Sequence, residues 1–232
     1  MGNGRLLREG IQDGLPIFLG YFSTALAFGL LCRSSGLGLL ESQAISLTNF
    51  SGSGQFLMMN LFNAGSFMLE IVISVFFLNT RYIFMASSLS QKLDRPESVA
   101  GRVMSGFGTT DEIFTVASFK NRRLEYSYLA GLIFTSYAGW NSGTFLGYLA
   151  GTFLPDVIQK AAAITCYAMF ASLLGGETRR NAKAILALMI SGGINSFLIL
   201  VLKLGTGISF LISMLATAII AAFIYTDEEA GV

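Results

Sequence analysis

SQAISLTNFSGSGQFLMMNLFNAGSFML, residues 42–69, runs for 28 positions without an Asp, Glu, Lys or Arg. A helix rises about 1.5 Å per residue and the hydrocarbon core of a bilayer is about 30 Å thick, so roughly 20 such residues suffice to cross it. The stretch is long enough, but Phe50-Ser51-Gly52-Ser53-Gly54-Gln55 interrupts it. Gly52 and Gly54 lie two apart and occupy different faces of a helix, which speaks against a small-residue contact seam and for a break. Backbone that leaves helical geometry in lipid forfeits internal hydrogen bonds, and it is tolerated only where protein or a water-filled cavity covers it. Such breaks mark substrate sites in transporters, because the freed N–H groups of a half-helix point at anionic groups. Here the two glycines allow close approach, and Ser53 and Gln55 add side-chain donors.

Outward from this stretch, the chain keeps to the same solvent. Of its 232 residues 53% are hydrophobic and 12% charged, with a mean hydropathy of +0.63. Soluble domains carry about 25% charged residues, so a soluble fold of this composition would expose large apolar patches. Disorder requires the opposite composition. Residues 15–32, 126–152, 161–176, 184–202 and 204–226 are further uncharged runs. Pro16 is expected to open the first of them at the first helical position, where its missing N–H costs nothing. Residues 70–79 continue apolar after Glu70, and a second interrupted stretch, residues 103–119, carries Gly106, Gly108, Thr109, Thr110, Asp111 and Glu112. The expected fold is all-α: a polytopic integral membrane helix bundle of six to eight spans with one or two broken or re-entrant helices. Residues 1–232 form a single transmembrane domain. If it has two halves, the connector from Lys92 to Arg102, which contains Pro96, divides it into about 10–95 and 96–226.

The composition removes whole classes of function. With no His, triads, His-ligated metals and histidine proton relays are all excluded. Cys32 and Cys166 each lie in an apolar run and read as small core hydrophobes. A net charge of +1 without a basic face offers nothing to nucleic acid. No catalytic constellation, metal-ligand set or cofactor motif is expected, and no Gly-x4-Gly-Lys-Ser/Thr phosphate loop is present.

The basic residues orient the chain. With both interrupted stretches re-entrant and six runs crossing, eleven Lys and Arg, from Arg5 and Arg8 to Lys183, fall on one side. Only Arg33, Lys160 and Lys203 fall on the other, and Arg81 lies within a span. Both termini are therefore expected in the cytoplasm. If both interrupted stretches cross, the count is eight, and Lys92, Arg95 and Arg102 move outside.

Few charges remain in the spans: Glu70, Arg81, Asp111 and Glu112. Intramembrane ionisable groups are functional candidates by default. Adjacent helical positions diverge by about 100°, so Asp111 and Glu112 are expected to face different partners. One would lie in the site while the other caps the helix that follows Thr110. Arg81 has two candidate partners, Asp111 and Glu70. The asparagines at 49, 60, 63, 79 and 195 read as interhelical glue. Asn141 beside Trp140 stands apart, since Trp140 sits mid-run, where it lines a cavity or a core rather than an interface.

These residues resemble the AzlC-type branched-chain amino-acid permease family, the large subunit of a two-component exporter. The resemblance is carried by Asp13-Gly14-Leu15-Pro16, Ala27-Phe28-Gly29 and Leu40-Glu41-Ser42. It continues through Gly52-Ser53-Gly54-Gln55-Phe56, Ala64-Gly65-Ser66 and Asn79-Thr80-Arg81-Tyr82. Further on come Gly108-Thr109-Thr110-Asp111-Glu112-Ile113-Phe114 and Trp140 with Gly143-Thr144. The family's Gly-Pro after its arginine is replaced here by Met85-Ala86-Ser87-Ser88. The resemblance implies a secondary transporter of the bacterial inner membrane that exports small neutral, branched-chain amino acids with a small AzlD-type membrane subunit. In that reading the substrate carboxylate meets the N–H groups of Gly52, Ser53, Gly54 and Gln55, and its ammonium meets Asp111. Phe56, Trp140 and Asn141 shape the pocket, while Arg81, Glu112 and Glu70 complete the ion-pair or coupling set. Coupling to an ion rests on Asp111. The rival readings are a channel-like pore and a non-transporting structural subunit of a membrane complex.

Overall fold

The computed structural model describes residues 3–93, 99–120, 123–153 and 182–229. Its helices are α1 (Asn3–Ser34), α2 (Leu39–Thr48), α3 (Gly52–Asn63), α4 (Met68–Lys92), α5 (Val99–Gly108), α6 (Asp111–Ser118), α7 (Tyr126–Ala150), α8 (Ala182–Leu200) and α9 (Thr206–Glu229). Among the described residues there is no strand, only a single bridge between Leu93 and Leu124. Gly4–Ser34 and Met68–Lys92 are long and apolar enough to cross a membrane. Leu40, Phe119 and Phe153 are each more than four-fifths exposed, as side chains facing lipid can be. The run expected at 161–176, Cys166 and Pro96 lie outside the described residues, whereas Cys32 is a free, fully buried thiol.

Both interrupted stretches break. The first helix pair, α2 and α3, parts at residues 49–51, so Gly52 to Gln55 are not the break itself but the first turn of α3. The second pair, α5 and α6, parts at Thr109 and Thr110. The start of the first helix departs from expectation. It begins at Asn3, and Pro16 lies inside it. The carbonyl of Gln12 therefore lacks its usual donor. The extra turns are polar because Glu9 and Asp13, one turn apart, both reach Lys120, at 2.9 and 2.8 Å.

Two helices end on a left-handed glycine. Gly36 (φ +84) follows α1 and Gly65 (φ +73) follows α3. In each case the next N–H returns to a carbonyl five residues back, Leu37 to Cys32 and Ser66 to Leu61. Only glycine adopts this conformation without steric cost.

The chain forms two compact units. The first comprises Met1–Phe56 and Leu78–Cys166. Its spine is α1 against α7, in backbone contact: a Cβ added at Gly10 would lie 2.0 Å from the Tyr128 carbonyl oxygen, and one at Gly147 would lie 2.2 Å from that of Leu26. Gly139 meets Phe18, Gly143 meets Phe22 and Gly147 meets Leu26, so the two helices run parallel. Gly139, Gly143, Gly147 and Gly151 recur every four residues and fall on one face, the spacing that lets membrane helices touch. The second unit comprises Leu57–Phe77 and Tyr167–Val232. In it Glu70 lies against the start of α9, where a Cβ at Gly207 would fall 2.5 Å from its Oε2.

Candidate functional site

Everything in the site belongs to the first unit. At the first break, Ser51 stands immediately before α3 and caps it: its Oγ accepts from the Gly54 N–H at 3.1 Å. The same Oγ donates to Asn79 Oδ1 at 2.7 Å and accepts from the Tyr82 hydroxyl at 3.1 Å, which uses its full capacity. Asn79 in turn donates to Asn49 Oδ1 at 3.2 Å.

Gln55 braces the same break from inside. Its Nε2 donates to the Asn49 carbonyl at 2.6 Å, and its Oε1 accepts from Trp140 Nε1 at 3.1 Å and from Ser46 Oγ at 3.4 Å. Ser46 and Thr144 share a hydrogen bond of 2.8 Å. Gln55 is fully buried, so this side chain holds the broken backbone in place. The Trp140 ring lies over Gly52, where a Cβ would come within 2.9 Å of it. Trp140 also packs against Tyr21 (centroids 5.5 Å) and Phe28 (6.5 Å). Phe56, fully buried, meets Phe28 edge-on at 5.7 Å. Asn141 sits on another part of α7, accepting from Gln43 Nε2 at 3.2 Å and donating to the Tyr137 carbonyl at 2.9 Å.

The second break carries the charge. Asp111 and Glu112 occupy the first turn of α6, where the helix dipole favours carboxylates. As their adjacency requires, they face different partners. Asp111 accepts from Arg81 Nη1 at 3.0 Å. Glu112 accepts from the Tyr21 hydroxyl, which also lies 2.7 Å from Thr110 Oγ1.

Arg81, on α4, joins the two breaks. Besides Asp111 it donates through Nη2 to Ser53 Oγ at 2.7 Å and to the Tyr82 hydroxyl at 3.2 Å. Its guanidinium stacks over the Tyr82 ring, 4.9 Å from the centroid. The N-terminal turns of α3 and α6, two positive helix ends, thus converge on one arginine, with Asp111 and Glu112 as counter-charge. The Arg81 and Asp111 side chains are 37% and 45% exposed, so the pair is open to exchange with a ligand. Arg81 Nε is buried with no acceptor among the described residues. A buried donor without a partner is uncommon, and a ligand or water oxygen is its natural complement.

Of the residues singled out from sequence, Ser53, Arg81, Asp111 and Glu112 line this polar centre, with Gly52, Gly54, Gln55 and Trp140 forming its wall. Phe56 packs in the core behind, Asn141 lies aside, and Glu70 belongs to the second unit, so Arg81 pairs with Asp111. Sequence reading missed Tyr21, Ser51 and Tyr82 as site residues. Ser51 was findable, since a Ser just before a helical run is a capping signal. Tyr21, in the middle of an apolar run, carries no local signal.

An all-helical membrane protein with an ion pair held between two broken helices is the class this geometry defines. The chain belongs to the AzlC family: the family model described as AzlC protein matches residues 16–154, a span that contains both breaks, Arg81, Asp111, Glu112 and Trp140. It is similar to an uncharacterized membrane protein of Archaeoglobus fulgidus, 33% identical over 178 residues, which cover 75% of this chain and 77% of the relative. It is also similar to inner membrane protein YgaZ of Escherichia coli, 29% identical over 190 residues and 78% of each chain. An uncharacterized membrane protein of Helicobacter pylori is 24% identical over 181 residues, 76% of this chain and 78% of the relative. No solved structure matches the chain significantly.

Proposed function

We propose that this chain is a secondary transporter that exports small neutral amino acids with branched side chains across the bacterial inner membrane, both termini in the cytoplasm. In this reading it works with a small AzlD-type membrane subunit. The Arg81–Asp111 pair carries the reading. An amino acid is a zwitterion, and the site holds a zwitterion of its own making: a guanidinium and a carboxylate 3.0 Å apart and partly exposed. A substrate carboxylate takes the Arg81 donors, including the Nε–H, together with Ser53 Oγ and the first N–H groups of α3. Asp111, released, takes the ammonium. The exchange replaces one charge pair with another, so neither form leaves an unpaired charge in low dielectric. Coupling to an ion rests on Asp111, the carboxylate that pairs with Arg81. The aromatic wall of Trp140 and Phe28, with Phe56 behind it, meets the apolar tail.

Trp140 is the sole tryptophan and touches both the first break and Tyr21. Titrating the purified chain with leucine should therefore change its intrinsic fluorescence saturably, and glutamate and lysine should not. Vesicles reconstituted with the chain, with and without its partner subunit, should release loaded leucine with saturation and counter-transport. Flux without saturation would instead indicate a pore, and no flux with the partner present would leave a structural subunit.

A further inference from the structure

Beyond the ion pair, the first unit contains a cavity of about 520 Å³ between α4 and α5, well within the roughly 300–1,000 Å³ of ligand cavities. One stripe of each helix lines it: Tyr82, Ala86, Leu89 and Leu93 on α4 and just past its end, and Arg102 and Ser105 on α5 with Thr109 just past its end. Their three- and four-residue spacings keep each set on one face, so the cavity follows the helices lengthwise. Eleven positions of α4 separate Tyr82 from Leu93, about 16 Å of helix.

The two ends differ in chemistry. At the inner end stand Tyr82 and Thr109. Tyr82 is the hydroxyl that bonds Ser51 and Arg81, and Thr109 belongs to the second break. At the outer end stands Arg102, exposed. Between them the walls are mainly apolar, with Ser87, Ser90 and Ser105 interspersed. Because Ile83, Ser87, Ser90 and Gly106 are exposed, the bore is open along part of its length. A cation at the mouth, an apolar bore and a second cation behind a tyrosine complement a small molecule with a carboxylate and an apolar tail. They do not suit a cation.

We infer that this cavity is the cytoplasmic access vestibule for the amino acid, with Arg102 drawing in the carboxylate and Tyr82 as the inner door to Arg81. The inference rests on the transporter reading for its substrate. The side on which it opens follows from the same orientation, with both termini in the cytoplasm, whereas its preference for anions rests on Arg102 alone. When Tyr82 leaves Ser51 and Arg81, the bore and the ion pair become continuous, and the carboxylate passes from one arginine to the other.

The test uses the full chain with Cys32→Ala and Cys166→Ala, carrying Ser90→Cys or Ser87→Cys in the bore. Ser88→Cys, outside the cavity lining, is the control. In inverted membrane vesicles, 2-sulfonatoethyl methanethiosulfonate should label both bore cysteines, and in right-side-out vesicles it should label neither. The anionic reagent should react faster than its trimethylammonio counterpart, and adding Arg102→Gln should cut that preference roughly tenfold, with Arg102→Lys restoring it. Leucine should slow labelling of the bore cysteines and leave the Ser88 variant unaffected. Arg102→Gln should raise the KM for leucine efflux and leave kcat nearly unchanged. Labelling from the opposite face, or an anion preference indifferent to Arg102, overturns the vestibule. Absence of leucine protection with efflux intact overturns the amino acid as its occupant. Loss of leucine efflux in the unmodified chain overturns the transporter reading alone, and the labelling then still decides the vestibule.

Discussion

The two broken helices solve the same problem with different chemistry. At residues 49–51 the freed backbone is tied by neutral groups: Gln55, Asn49, Asn79, Ser51 and the Trp140 indole. At Thr109 and Thr110 the neighbouring polar groups include two carboxylates, Asp111 and Glu112, answered by Arg81 and Tyr21. Neutral hydrogen bonds do not change with protonation or with the arrival of a charged ligand, so the first break can fix a shape. Charged groups respond to both. The first break has the chemistry of a mould and the second that of a responsive element, with Arg81 in contact with each.

That contrast predicts unequal responses to substitution. Asp111→Asn removes a charge-assisted bond at the second break, and leucine efflux should fall about 100-fold. Its thermal stability in detergent should change by less than about 1 kcal/mol, because the pair is partly exposed. An unchanged efflux rate would remove Asp111 from the mechanism. Gln55→Leu should do the reverse in kind. It strands the buried Trp140 N–H and leaves the Asn49 carbonyl with the Ser51 N–H as its donor, a loss of about 1–3 kcal/mol, seen as a lower unfolding temperature and a shifted Trp140 emission. If Gln55→Leu impairs transport while stability holds, the first break is not a passive mould.

Tyr21→Phe is expected to be milder, since it deletes the hydroxyl that holds Glu112 without removing a charge. Efflux should drop a few-fold, with a displaced pH profile if Glu112 shares in proton coupling. The smallest effect is expected at the far end of α6, where Lys120 bridges Glu9 and Asp13 from the loop after the helix. Lys120→Met should cost about 0.2–1 kcal/mol. Its hydrogen bond to Asp13 raises the Lys120 pKa, with burial opposing and Glu9 reinforcing. A raised folded pKa means the contribution is complete below the ordinary lysine value and disappears as pH climbs through the higher one. The gap between the native chain and Lys120→Met, followed by thermal unfolding, should thus be constant with respect to Lys120 from neutral pH to about pH 9 and close only in stronger alkali.

The legible parts of the site were those with a local cause. The acids after Thr110 lie in the first turn of the helix that follows, and Ser51, although missed, carried a readable capping signal within four residues of Gly54. Pro16 misled because proline most often opens a helix, while here Glu9 and Asp13 are held by Lys120 more than a hundred positions away, and the helix continues upstream to meet it. The glycine spacing at residues 139–151 was visible but silent about its partner. Nothing near it in the chain says that α1 lies there, or that the two helices run parallel.

Composition and short-range pattern by themselves determined the solvent, the all-helical class, the two places where helices fail and the few charges left inside. These follow from the cost of water, lipid and unmade backbone hydrogen bonds, which any residue meets with its immediate neighbours. Only the tertiary structure decided that Arg81 takes Asp111 and that Gln55 is a brace. It alone brought Tyr21 to Glu112, and it set Arg102 in the lining of the cavity beside α4. Arg81 and Asp111 lie 30 positions apart, Gln55 and Trp140 85, and Tyr21 and Glu112 91. Their selection depends on which helix faces pack together, and the close approach of α1 to α7 through their glycines settles part of that.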